Sequence, residues 1–199
     1  MSFNVVLRAF VFLLLVVGLA SCQRYAMVQP QPVTVKNALV VAPNQAWNKI
    51  NIDSLSSRPV EIWTADGDQL NMLMLFVGVA DGQSLFPSPD SEKDKYAPFR
   101  SGMTANEVVS LVEATLGRYM DTSLVESYDL RPTPFAGQNG YRAEFNLVGK
   151  DEVDRRGLAA GAIKDGKLYL MLFIGTRLHH YGLRAEEVES MMASARIAS

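Results

Sequence analysis

The chain has 199 residues, of which 48% are hydrophobic and 20% are charged, and its formal net charge at pH 7 is −2. This composition is typical of globular proteins and excludes disorder along the whole chain, and the length suits one domain with a sizeable core. The weak net charge also excludes the strongly basic surface that phosphate groups require, so we expect no nucleic-acid partner.

The N-terminus has the layout of an export signal. Arg8 precedes an apolar run, Ala9–Ala20, that is shorter than the roughly 20 apolar residues of a membrane-spanning helix. Residues 19–22 then read Leu-Ala-Ser-Cys, and this order resembles the lipobox of bacterial lipoproteins. The resemblance implies cleavage between Ser21 and Cys22 and lipidation of Cys22. The alternative is an ordinary buried thiol in a retained anchor helix.

Lipidation is favoured because Cys22 is the only cysteine, which leaves its thiol without a disulfide partner in an oxidising envelope. The lipoprotein resemblance implies a diacylglyceryl group and an N-linked acyl chain, for which palmitate is the natural label. Two or more acyl chains hold a protein stably on a membrane. We therefore predict a membrane-anchored protein of the cell envelope that faces the periplasm. Gln23, a residue other than aspartate after the cysteine, resembles the outer-membrane sorting pattern.

Three segments follow from this interpretation. Residues 1–21 are predicted to be a signal peptide, and residues 22–33 a lipidated N-terminus and a flexible tether rich in proline and glutamine. Residues 34–199 are predicted to be a single globular domain.

The first half of that domain is predicted to be mainly strands. The candidates are Thr34–Val41, Val60–Thr64 and Gln69–Val79, with a loop or helical turn around Ala46–Ile50 and a hairpin turn at Ala65–Asp68. Both alternating positions of Gln69–Val79 are apolar, which indicates a strand covered on both faces, with a buried helix as the alternative.

Asp81–Ser101 is the main irregular segment. It contains Pro87, Pro89 and Pro98 around a run of charged residues. Loops this long are uncommon in compact domains and are usually functional or mobile. Both interpretations stay open at this point.

The second half begins with a capping box, in which Thr104 and Glu107 exchange side-chain hydrogen bonds at the start of a helix that is predicted to end at Gly117. The predicted strands that follow are Leu124–Arg131, Tyr141–Val148, Gly157–Ile163 and Lys167–Gly175, with turns at Gly137–Gly140 and Lys164–Gly166, and the last predicted helix is Arg184–Arg196.

Short turns between strands predict a mainly antiparallel sheet, and two apolar-striped helices are expected to cover its two faces. The predicted fold class is therefore α/β, an α/β/α sandwich. Four segments of the second half carry a family resemblance: Phe135–Phe145, Gly157–Ala162, Leu168–Phe173 and the closing helix through Arg196. Their pattern resembles the PsbP-like (Mog-type) family. The resemblance implies this fold and a habit of binding proteins, including a small GTPase and photosystem subunits, and it transfers no catalytic residue.

No residue is assigned to catalysis, to a cofactor or to a metal. His179 and His180 are the only histidines, and neighbours on a strand point to opposite faces, so one exposed and one partly packed histidine is expected at a strand end. A Gly-x-Ser-x-Gly nucleophile elbow does not occur in the sequence.

Two further patterns have ordinary structural interpretations. Met72, Met74 and Met171 could bind Cu(I) as soft ligands, but methionine is more often flexible core filler. Gly157 and Gly161 are not followed by the Lys-Ser pair of a phosphate loop, which favours a packing role.

The leading functional hypothesis is a lipid-anchored envelope module, not an enzyme, that binds an envelope protein. If Tyr128, Tyr141 or Trp63 is exposed beside Asp81–Ser101, that patch becomes the expected contact surface.

The alternatives are of different classes. One is an envelope hydrolase, or a lipoprotein that binds a small ligand or a metal, with His179 or His180 and Asp81–Ser101 at its pocket. The other is a structural or stress-linked lipoprotein that has no fixed ligand.

Overall fold

The structure is a computed structural model that describes residues 24–198. The predicted signal peptide, the cleavage site at Ser21 and the lipidation site at Cys22 lie outside the described residues. None of the helices within residues 24–198 is long and apolar enough to cross a membrane.

An antiparallel sheet of eight strands forms the centre of the molecule. In spatial order its strands are β1 (Tyr25–Val28), β4 (Trp47–Ile50), β5 (Val60–Thr64), β6 (Asn71–Val79), β10 (Lys167–Thr176), β9 (Asp154–Lys164), β8 (Gln138–Val148) and β7 (Val125–Phe135). A smaller antiparallel sheet contains β2 (Val33–Val35), β3 (Leu39–Val41) and β11 (Arg196–Ile197). The helices are α1 (Ala105–Tyr119), α2 (His180–Ser194) and a 3₁₀ turn at Asp53–Leu55.

Helix α1 covers one face of the large sheet. Its side chains Val108, Val112 and Leu116 are buried in the same core cluster as Met74 and Phe76 of β6. These positions follow the helical spacing that the sequence shows, and burial of such side chains is the main force that holds a helix on a sheet.

Helix α2 and the small sheet cover the opposite face. Val188 and Met191 of α2 share a second core cluster with Leu75 of β6 and Phe173 of β10, and Leu39 of the small sheet joins it. Helices therefore lie on both faces, which confirms the predicted α/β/α sandwich, and β6 is buried on both sides as expected.

The capping box is present as predicted. The Thr104 hydroxyl accepts from the backbone N–H of Glu107 at 3.4 Å, and the Glu107 carboxylate accepts from the backbone N–H of Thr104 at 2.7 Å. The predicted helix end at Gly117 is wrong, because α1 continues to Tyr119. Gly117 is instead needed for close packing, since a Cβ there would lie 2.9 Å from the carbonyl oxygen of Thr122.

Two predictions near the start of the domain are wrong. The single strand expected at Thr34–Val41 is a pair of strands, β2 and β3, joined by a tight turn in which Lys36 and Asn37 have positive φ angles of 47° and 57°. The turn expected around Ala46–Ile50 is strand β4, which has Trp47 fully buried at its start. Strand β3 also pairs with β11 near the C-terminus, and β4 pairs with β1 and β5, and a local pattern does not reveal such distant partners.

The segment 22–33, predicted as a flexible tether, is folded at Tyr25–Val28. These residues form β1, which pairs with β4 and buries Val28. The prediction of a flexible tether is therefore wrong for this strand, and the large sheet includes residues upstream of the predicted domain start at residue 34.

In the second half the elements are longer than predicted. Strand β7 runs through Pro132 and Pro134 to Phe135, because an edge strand tolerates residues that lack an N–H donor. The following turn is centred on Ala136 and Gly137, both with positive φ, so residues 138–140 belong to β8. Helix α2 begins at His180, four residues earlier than predicted, and ends at Ser194.

The long segment Asp81–Ser101 contains no helix and no longer strand, only a bridge between Ser84 and Pro98. Phe86 and Phe99 of this segment are nevertheless buried in the core under α1, and the Phe86 ring stacks on Tyr119 at 4.9 Å. Phe86 and Phe99 therefore anchor the segment on the α1 side of the sheet, whereas its residues 89–94 are exposed.

Candidate functional site

A strip of charged and aromatic side chains lies on the sheet beside α2. We call it the Arg-Tyr strip and define it as Tyr128 of β7, Arg142 and Glu144 of β8, Arg156 of β9, and Tyr181 and Glu189 of α2.

The alternation of side chains along β8 determines which face of the sheet the strip occupies. On β8, Tyr141, Ala143 and Phe145 are buried in the core under α1, so Arg142 and Glu144 point to the opposite face. The register of the sheet sets Tyr128 opposite Glu144 on the neighbouring strand.

The Glu144 carboxylate is the centre of the hydrogen-bond network. One oxygen accepts from the Tyr128 hydroxyl and from the Arg156 guanidinium, both at 2.9 Å, and the other accepts from Arg142 at 3.2 Å. Arg142 also donates to Glu189 of α2 at 2.5 Å. The network thus links three strands to the helix in a fixed arrangement of both charge signs.

Arg156 and Tyr181 form the aromatic part of the strip. The guanidinium carbon of Arg156 lies 5.0 Å from the centre of the Tyr181 ring, within the range of a cation–π contact. Burial raises the pKa of Tyr181 to about 12, and the hydrogen bond with Tyr128 raises the pKa of Arg156. At neutral pH the phenol is therefore protonated and the guanidinium is cationic.

The strip is partly exposed, which suits recognition of another molecule. The side chain of Arg156 is 36% exposed and that of Glu189 is 50% exposed. Arginine and tyrosine are enriched at protein interfaces because each combines a large contact area with a polar group.

The histidine pair is not part of the strip. His179 directly precedes α2, His180 is the first residue of α2, and the His180 Nδ1 atom lies 2.8 Å from the Thr176 hydroxyl oxygen. Their rings are 5.0 Å apart and nearly perpendicular. Within residues 24–198 no group of three or more histidine, cysteine, aspartate or glutamate side chains could hold a metal ion.

The structure does not bring the histidines and Asp81–Ser101 together at a pocket. The histidines follow β10, whose last residues pair with the start of β6, whereas Asp81–Ser101 begins beyond the end of β6. Nine residues of β6 separate these two ends of the sheet, which is about 30 Å.

Two open clefts lie on the surface. One of 960 Å³ lies beside the second half of α1, where Glu113 and Arg118 face Glu92 and Lys95 of the long segment. A second of 440 Å³ is bordered by Arg155, which is buried and donates to Asp151 at 2.6 and 2.8 Å. Neither cleft is lined by His179 or His180, so neither pairs a nucleophile with a histidine base.

The remaining candidates have structural roles. Met72 and Met74 lie in the core under α1, whereas Met171 lies in the core under α2, so the sheet separates them and they form no common copper site. Gly161 permits close packing, because a Cβ there would lie 2.9 Å from the carbonyl oxygen of Tyr169.

Of the three aromatic residues predicted to mark a contact surface, Trp63 and Tyr141 are buried. Tyr128 is partly exposed, but it lies in the Arg-Tyr strip on the α2 face, away from Asp81–Ser101. The other strip residues were not predicted. The alternation of residues 141–148 did place Arg142 and Glu144 on a polar face, but it could not identify their partners on β7, β9 and α2.

Comparisons with known proteins support the fold. No family model matches the chain, and no curated protein matches it. Among solved structures, the chain is similar to the solution structure of cyanobacterial PsbP (CyanoP) from Synechocystis sp. PCC 6803, with a TM-score of 0.55 and 14% sequence identity. The match covers 91% of this chain and 99% of that chain. At this identity the likeness shows the fold alone, and that fold is PsbP-like: a mainly antiparallel sheet with two helices.

Proposed function

We propose that the chain is a lipid-anchored lipoprotein of the bacterial cell envelope that faces the periplasm and works as a non-catalytic accessory module by binding another protein. The observation that carries the proposal is the Leu-Ala-Ser-Cys order at residues 19–22 after a short apolar run. It provides a membrane attachment that needs no spanning helix. Gln23 makes the outer membrane the favoured location.

The Arg-Tyr strip supports the binding part of the proposal. Its charges are held by mutual hydrogen bonds, so a partner meets a preorganised surface and the strip loses little conformational freedom on binding. The exposed edges of Arg156 and Glu189 have opposite charges, which favours a partner surface with acidic and basic groups at matching positions.

Acylation is tested by labelling bacteria with a palmitate analogue. We expect the wild-type protein to take up the label and to fractionate with membranes, and Cys22→Ala to lose both properties. A wild-type protein that retains Met1 and an unmodified thiol would contradict the anchor.

Protein binding is tested by placing a photo-crosslinking phenylalanine analogue at Tyr128 in intact cells, with the same analogue at exposed Lys167 as the control. We expect a discrete crosslinked product from position 128 that disappears in the Arg156→Glu background, and none from position 167. If position 128 yields no specific product, the module has no partner at this strip, and the hypothesis of a structural lipoprotein without a fixed ligand gains support.

A further inference from the structure

The cleft of 440 Å³ lies on the α1 side of the sheet, where the helix ends. Helix α1 packs most closely on β7 and β8, and its last residue, Tyr119, reaches Met72 near the start of β6. The sheet continues from there to β5 and β4, whose residues also line the cleft. We call this feature the Tyr119 cleft. It lies on the opposite face of the sheet from the Arg-Tyr strip.

The floor of the Tyr119 cleft is apolar. It consists of Ile50 of β4, Ile62 of β5 and Met72 of β6, which are buried side chains of the core under α1. Tyr119 and Met120, at the end of α1, also line the cleft. Its volume lies within the range of roughly 300–1,000 Å³ that is usual for small-molecule sites, which combine an apolar lining with a few polar groups.

Tyr119 supplies a hydroxyl group that has only a weak partner among the described residues. Its ring is held by stacking on Phe86 at 4.9 Å. The hydroxyl oxygen lies 3.8 Å from the Met72 sulfur, and a thioether is a weak acceptor. Burial raises the pKa of Tyr119, so the hydroxyl keeps its proton at neutral pH. The cleft therefore offers one donor that suits an acceptor oxygen on a ligand.

The charged residues that line the cleft neutralise one another in pairs. Arg24 pairs with Asp68, and Arg155 donates to both carboxylate oxygens of Asp151, at 2.8 and 2.6 Å. Arg155 also donates to the carbonyl oxygen of Gln69 at 3.3 Å. A charged ligand would lose its hydration here without meeting an unpaired counter-charge, whereas a neutral ligand has no such cost.

We propose that the Tyr119 cleft binds a small, uncharged aromatic molecule that carries an acceptor oxygen such as a carbonyl. The ring of the ligand contacts Met72 and Met120, because thioethers pack favourably against aromatic rings. Its carbonyl oxygen accepts from the Tyr119 hydroxyl. The inference does not rest on the proposed function, since neither the anchor nor the strip contributes to the cleft.

The position of the site is tested with the full-length protein in lipid nanodiscs, in which the methionine methyl groups carry ¹³C. The probe is acetophenone. We expect saturable shifts of the Met72 and Met120 methyl signals, with a Kd on the order of 1 mM. The control is Met171, which lies in the core on the other side of the sheet and should not shift. If Met72 and Met120 show no saturable shift, or if Met171 shifts as much, the proposal is wrong.

The hydrogen bond is tested with ethylbenzene, which has the shape of acetophenone but no acceptor oxygen. Tyr119→Phe should raise the Kd of acetophenone about three- to tenfold and that of ethylbenzene less than about twofold. Each compound partitions equally into the nanodiscs of both proteins, so these ratios are unaffected by the lipid. The matched control is Tyr96→Phe, which should change neither Kd, because Tyr96 also packs on Phe86 but does not line the cleft.

The charge of the ligand is tested with benzoate and benzylammonium, which we expect to bind at least about fivefold more weakly than acetophenone. Tighter binding of either ion, or equal effects of Tyr119→Phe on acetophenone and ethylbenzene, would overturn the assigned chemistry. A photo-crosslinker at Ile52, an exposed residue of the cleft, that captures a discrete protein in cells would overturn it too, because a protein side chain would then be the occupant. Loss of the lipid anchor or of crosslinking at position 128 would leave these results unchanged, so the two proposals fail separately.

Discussion

Replacement of Glu187 by alanine should destabilise the fold through the loss of a buried hydrogen-bond acceptor. Glu187 lies on the inner side of α2 and is 6% exposed. One of its carboxylate oxygens accepts from the backbone N–H groups of Asn44 and Gln45, at 3.2 and 3.0 Å, and from the Trp47 indole N–H at 3.2 Å. This carboxylate ties α2, and with it part of the Arg-Tyr strip, to the segment before β4.

The expected loss of unfolding free energy depends on whether each of the three N–H donors finds another acceptor once the Glu187 carboxylate is removed. Asn44 and Gln45 are exposed residues whose N–H groups can bind water in the variant, whereas the Trp47 side chain is fully buried and its N–H stays unsatisfied. An orphaned buried donor costs about 1–3 kcal/mol, and each exposed one costs less. We therefore expect Glu187→Ala to lower the free energy of unfolding by about 2–4 kcal/mol. Glu187→Gln keeps an acceptor oxygen and should lose roughly half as much.

Urea unfolding monitored by far-UV circular dichroism measures this loss without relying on Trp47 fluorescence. The matched control is Glu186→Ala, since Glu186 is the exposed neighbour on the same helix and its replacement should change stability by less than about 0.5 kcal/mol. If Glu187→Ala and Glu186→Ala have the same midpoint and slope, the carboxylate does not hold the two segments together, and the reasoning fails.

Two further predictions concern backbone packing and pH. Gly140→Ala should lower the free energy of unfolding by about 1–3 kcal/mol, because its Cβ would lie 2.5 Å from the Gly161 carbonyl oxygen. Gly182 lies in α2, and a Cβ there would meet no atom within 4 Å, so Gly182→Ala should raise the free energy of unfolding by about 0.5–1 kcal/mol. Equal denaturation midpoints for these two variants would refute the packing argument. Hydrogen bonds from Arg155 lower the pKa of Asp151 to about 2, so Asp151 stabilises the fold above pH 4 and this contribution is lost as the pH falls towards 2. Thermal melts should therefore show Asp151→Asn less stable than wild type above pH 4 and equal to it near pH 2, and a constant difference would contradict the assigned pKa.

The sequence predicted those elements whose determinants are local. Val60–Thr64 was predicted with the bounds that the structure has, because its β-branched residues lie between a proline and an Asp-Gly turn. The start of α1 followed from Thr104 and Glu107 alone. The sandwich itself followed from the apolar residues on both faces of β6 and β10, since such strands require a cover on each side.

Elements that depend on distant partners escaped prediction. Strands β1 and β4 are only four residues each, and β4 carries the polar residues Asn48 and Lys49, so both strands depend on pairing with a neighbour in the sheet. The Arg-Tyr strip has the same origin, since Tyr128, Arg156 and Glu189 meet Glu144 or Arg142 only after four elements have assembled. A pattern read along one segment cannot contain such contacts.

The sheet edges bear on where a protein partner can bind. A partner could add a strand to an open edge, but β7 has Pro132 and Pro134, which lack N–H donors, and a bulge between Tyr128 and Arg131. The opposite edge, β1, has only four residues, so it offers few backbone hydrogen bonds. Strand addition is therefore disfavoured at both edges. Since α1 packs on one face of the sheet, the proposed protein partner would be recognised through side chains on the other face, where the Arg-Tyr strip lies beside α2.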